Sequence, residues 1–125
     1  MTNNITKIKN IIQKIFGDKS DNFIKSHLFD TDKGVSYEIQ KYIENLFKLD
    51  SLANMLYQID DIAIVIEYNH NEKDNIPYLS IKKGNKSALI KCSRYGDSFD
   101  IFVNDYSVFA NNEKDVLTIL ALTIF

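Results

Sequence analysis

The chain has 125 residues, a mass of 14.5 kDa and a formal charge of −2, with 45% apolar and 26% charged residues. A chain of this size and composition buries a core without disulfide or metal staples, and its near-neutral charge is too small to suggest a general polyanion binder or a strongly acidic mimic. Cys92 is the only cysteine, which excludes an intrachain disulfide.

Ile5, Ile8, Ile12 and Ile15 recur at helical steps, widened by Ile11 and Phe16, and predict an amphipathic helix that ends at Gly17. Asp21 is a candidate cap for a short second helix carrying Phe23, Ile24, His27 and Leu28 on one face, followed by a turn at residues 30–34. A third helix is expected from about Ser36 to Lys48, with Ile39, Tyr42, Ile43, Leu46 and Phe47 as its stripe. Asp50 or Ser51 then offers a cap for one more turn through Leu52, Ala53 and Leu56.

Beyond Asp60 and Asp61 the apolar period falls from about four to two. Residues 62–68 are rich in β-branched side chains and read as a well-covered strand, and residues 69–75 as an exposed polar loop. Residues 78–83 alternate, Gly84-Asn85 suits a two-residue hairpin turn, and Ala88, Ile90 and Cys92 alternate on the returning strand. A turn at Tyr95-Gly96-Asp97 leads into Phe99, Ile101 and Val103, and residues 105–110 extend that strand or form a fifth. Asn111 or Asn112 caps a final helix with Glu113 and Asp115 in its first turn and Val116, Leu117, Leu120 and Ile124 on one side. The expected fold is a single α+β domain over residues 1–125. It has N-terminal helices, a central antiparallel meander of four to five strands and a C-terminal helix.

Catalytic and metal-binding patterns are missing. The two histidines, His27 and His70, fall on an expected helix and in an expected loop, and neither belongs to an H-x-x-x-H or C-x-x-C spacing. Cys92 alternates with core residues and reads as a small buried hydrophobe, because Lys91 points to the opposite face. Four glycines leave no phosphate-cradling loop, dinucleotide fingerprint or nucleophile elbow. No metal and no cofactor is expected.

Two surface patches remain. Lys82, Lys83, Lys86, Lys91 and Arg94 cluster on one hairpin and could meet phosphates. The mildly acidic chain and its single arginine weigh against nucleic acid, and lysines also guard sheet edges. The second patch comprises Glu67, Asp97, Asp100 and Asp105 with the aromatics Tyr95 and Phe102. Phe102 is out of phase with Phe99, Ile101 and Val103, so either a second layer covers it or it stands exposed as an aromatic anchor beside acids.

By elimination the chain is expected to bind rather than transform. The reading is a non-catalytic protein-binding or inhibitor domain, most simply a bacterial immunity-type protein that neutralises a cognate toxin by covering its active site. Glu67, Tyr95, Asp97, Asp100, Phe102 and Asp105 are the expected partner contacts. The alternatives are a nucleic-acid binder using the lysine hairpin and a small enzyme using His70. The absence of an apolar h-region in residues 1–7, of long apolar runs and of paired cysteines favours the cytoplasm and no membrane. The apolar segment from Val116 to Phe125 leaves a homodimer open.

Overall fold

A computed structural model describes residues 2–19, 37–59, 64–71, 76–93 and 98–125. Among the described residues, three α-helices and five strands follow in the order α1 (Thr2–Phe16), a 3₁₀ turn (Gly17–Lys19), α2 (Tyr37–Ile59), β1 (Ile64–Asn71), β2 (Ile76–Lys83), β3 (Lys86–Cys92), β4 (Phe99–Val103), β5 (Tyr106–Ala110) and α3 (Glu113–Thr123). The predicted helix at residues 21–28 lies outside the described residues. The chain divides into two compact units, Met1–Phe47 and Lys48–Phe125, and the division falls within α2.

In the first unit, α1 buries Ile11 and Ile12 while Lys9, Asn10, Gln13 and Lys14 stay exposed, as the isoleucine spacing requires. Gly17 stops the helix with a φ of +56°, a left-handed conformation that a side chain would oppose. Tyr42, Asn45 and Leu46 of α2 are also buried. Burial holds the Tyr42 phenol well above its ordinary range.

The second unit is a two-layer α+β structure. Its sheet is a five-strand antiparallel meander in the order β1-β2-β3-β4-β5. Ile64, Ile66, Leu79, Ile81, Ala88, Ile90, Phe99, Ile101, Val103 and Ala110 form a single core cluster with Leu49, Leu52, Ala53 and Leu56 of α2 and Val116, Leu120 and Ile124 of α3. The Leu49–Leu56 stretch of α2 and the α3 residues therefore cover the sheet face that carries these strand residues.

Three expectations about elements need correction. No break separates Lys48 from Asp50, because Leu49, Leu52, Ala53 and Leu56 carry on the apolar stripe and keep α2 helical to Ile59. Asp50 is a mid-helix residue that is buried and accepts a 2.6 Å hydrogen bond from the Tyr68 hydroxyl of β1. The stretch from Asn69 to Asn71 is strand, since the β1–β2 ladder continues through His70↔Pro77 to Asn71↔Ile76 and satisfies the backbone despite the polar side chains.

The tight turns match the residues that form them. Gly84, at φ +63°, opens the β2–β3 turn, and Asn104, at φ +54°, opens the β4–β5 turn. The Ser93 N–H donates to the Ser98 carbonyl at 2.9 Å and closes the base of the β3–β4 connection. At α3, Asn112 accepts from the Asp115 N–H at 2.9 Å, and the Asp115 carboxylate accepts from the Asn111 N–H at 3.3 Å, a reciprocal cap.

Candidate functional site

Strand pleating sends alternate side chains to the face opposite the helices. On that open face the ladders align Glu67, Ser80, Leu89, Phe102 and Ser107 in one row across the sheet. The next row is Asn69, Tyr78, Lys91, Asp100 and Phe109. Phe102 is 37% exposed, Leu89 41%, and Val65 and Phe109 53% each. The face is thus apolar at its centre, where most meander faces turned to water would be polar.

Phe102 settles on the exposed side of the alternative posed by its phase. Directly opposite it on the neighbouring strands are Leu89 and Ser107, and the Lys91 ammonium lies 5.3 Å from its ring centroid. Asn71, Ile76, Tyr78, Leu89, Ile90, Lys91 and Phe102 enclose a shallow notch of about 230 Å³. Its walls are aliphatic and aromatic apart from Asn71 and Lys91, the latter the one charged lining residue among those described.

Among the described residues, the acidic candidates Glu67, Asp100 and Asp105 do not adjoin one another. Glu67 is on β1 and Asp100 on β4, three strand spacings or roughly 14 Å apart across the sheet. Asp100 faces Lys91 across the β3–β4 ladder, and Glu67 is diagonal to Lys82, which faces Val65. Asp105 is exposed in the turn between β4 and β5. Tyr95 and Asp97 lie outside the described residues.

The lysine hairpin is divided as well. Lys82 and Lys91 are on the open face, whereas Lys83 turns to the helix side, 4.9 Å from the Phe125 ring centroid. Lys86 is exposed opposite Lys83, and Arg94 lies outside the described residues. Two charged members of each patch therefore share the open face, Lys82 and Lys91 on the adjacent strands β2 and β3, flanked by Glu67 on β1 and Asp100 on β4.

His70 is half-buried near the end of β1 on the side facing the helices, not in a loop. Cys92 is half-buried and packs against the core cluster. Among the described residues no three His, Cys, Asp or Glu side chains converge to hold a metal ion. No described helix is long and apolar enough to cross a membrane.

Tyr68 is a strongly perturbed polar group of this unit. Burial raises its pKa far above 10, and the hydrogen bond to Asp50, the Asp50 charge and Tyr57 act in the same direction. The pair ties β1 to α2 beneath the sheet and does not reach the open face.

Sequence reasoning singled out Phe102 but missed Tyr78, Leu89 and Phe109. The signal was present: each is a large apolar residue in the polar phase of its strand, and ladder register puts all of them on one face. Comparison with protein-family models, with curated proteins and with solved structures finds no match, so function is argued from these side chains alone.

Proposed function

We propose that this chain is a non-catalytic protein-binding domain, an inhibitor of the immunity type, that uses the open face of its sheet to cover the active site of a partner protein. The observation that carries this reading is Phe102, a large aromatic 37% exposed beside the exposed Leu89 and Phe109. Ordering such side chains in a sheet costs little further entropy on binding, and burying them releases water from apolar surface. An aromatic at the centre of a patch, rimmed by Glu67, Lys82, Lys91 and Asp100, has the anatomy of an interface hot spot. The charges of both signs would set register and exclude wrong partners, while the apolar centre supplies affinity.

The acids that flank the lysines disfavour the nucleic-acid reading, since Glu67 and Asp100 stand on either side of Lys82 and Lys91 and offset their attraction for phosphate. The position of His70 in a strand disfavours the enzymatic one.

Affinity capture from the native cell, followed by titration against the recovered protein, tests the proposal. A single protein partner should bind stoichiometrically and be inhibited. Phe102→Ala should weaken the complex by about 2 kcal/mol or more, roughly thirtyfold, with the fold intact. Asp100→Lys should weaken it chiefly by slowing association at low salt. Capture that returns no protein, or a complex indifferent to Phe102→Ala, contradicts the reading.

A further inference from the structure

β5 is the last strand of the sheet and carries few of the features that keep strand edges apart. It contains no Lys, Arg, Asp, Glu or Pro, and its register with β4 runs from Val103↔Tyr106 to Phe99↔Ala110 without a bulge. Tyr106 and Phe109 are 62% and 53% exposed, and Ser107 is exposed between them. The opposite edge strand, β1, carries Glu67 in its middle.

The backbone of β5 is committed in alternation. The two-residue turn at Asn104 and Asp105 makes its flanking pair, Val103 and Tyr106, hydrogen-bonded. The backbone groups of Tyr106, Val108 and Ala110 therefore point toward β4, and those of Ser107 and Phe109 point away from it.

We infer that a second copy of this chain pairs with β5, antiparallel about a two-fold axis at Val108, and joins the two sheets into one of ten strands. In this register Ser107 faces the partner's Phe109, and Phe109 faces the partner's Ser107. These are the residues whose N–H and C=O groups point outward, so four backbone hydrogen bonds form. Each exposed aromatic also meets a small residue: Phe109 a serine, and Tyr106 the partner's Ala110. Recentring on Ser107 sets Phe109 against the partner's Asp105, and recentring on Phe109 sets the two Phe109 rings against each other. Registers shifted by an odd number of residues place helix-side residues opposite open-face ones. The self-complementary pairing is the reason to name a second copy rather than a foreign strand.

An added ladder of five residues is a weak interface, with a dissociation constant on the order of 10 µM to 1 mM. Sedimentation equilibrium of the full chain across that range should show a shift from 14.5 kDa to twice that mass. Amide exchange at Ser107 and Phe109 should slow as concentration rises. Ser107→Pro removes an N–H that faces away from β4, a change edge strands tolerate. It deletes two of the four intermolecular bonds and should raise the dissociation constant about tenfold or more. If Ser107→Pro fails to fold by circular dichroism, the exchange measurement on the native chain decides alone. A chain that stays monomeric to about 1 mM, or a dimer in which those two amides exchange freely, overturns the inference.

Discussion

Tyr68→Phe removes one hydroxyl from the contact that links α2 to β1. That hydroxyl donates to Asp50 Oδ1 at 2.6 Å, across a sequence separation of 18, and Asp50 is only 7% exposed. A hydrogen bond to a charged, buried acceptor contributes about 1.5–3 kcal/mol, and its loss leaves a carboxylate poorly solvated. The expected cost is about 2 kcal/mol, or a fall in Tm on the order of 10 °C by calorimetry. The variant should also alter the alkaline limb of stability. The fold holds the Tyr68 phenol neutral well above pH 10, whereas the unfolded chain releases that proton near pH 10. The unfolded state thus binds fewer protons, so stability is complete below pH 10 and falls as pH rises, by up to about 1.4 kcal/mol per pH unit for each such group. Tyr68→Phe should flatten this fall without abolishing it, because burial raises Tyr42 in the same sense. A double-mutant cycle with Asp50→Asn isolates the coupling. A Tm unchanged within a degree or two, or an alkaline slope equal to that of the native chain, would refute the argument.

Two further predictions concern α3. Leu120 is fully buried in the core cluster and Leu122 is 83% exposed, so Leu120→Ala should cost about 2–5 kcal/mol and Leu122→Ala less than about 0.5 in urea unfolding. Asn112→Ala deletes the side chain that accepts from the Asp115 N–H and should cost about 1 kcal/mol, with exchange accelerating first in the opening turn of α3.

Much of the architecture was legible because local and global preferences agree. The isoleucine spacing of α1, the positive-φ positions at Gly17 and Gly84 and the Asn112 cap are each set by short-range physics and appear where expected. The errors fall where tertiary packing outweighs local signals. Asp50 and Ser51 resemble a helix start, yet Leu49 and Leu52 bury against the sheet and carry α2 through them. Asn69, His70 and Asn71 have loop composition, yet pairing with β2 keeps them in the ladder.

The candidate site was less legible for a different reason. Alternation along one strand shows that two faces differ, but not whether the second face is covered. Phe102 by itself was compatible with a buried second layer or an exposed anchor. The exposure of Phe102 and Leu89 decides it, and the register, by setting Leu89 opposite Phe102 and Tyr78 in the adjacent row, gathers dispersed apolar residues into one surface. Register likewise brings members of two apparently distinct charge patches together: Lys91 lies opposite Asp100, while Lys83 turns to the other face. A face built this way has little net charge to attract a polyanion and an apolar centre that gains from being covered. If the proposed partner binds here, shape and dehydration should therefore dominate the affinity, with charge acting mainly on the rate of encounter.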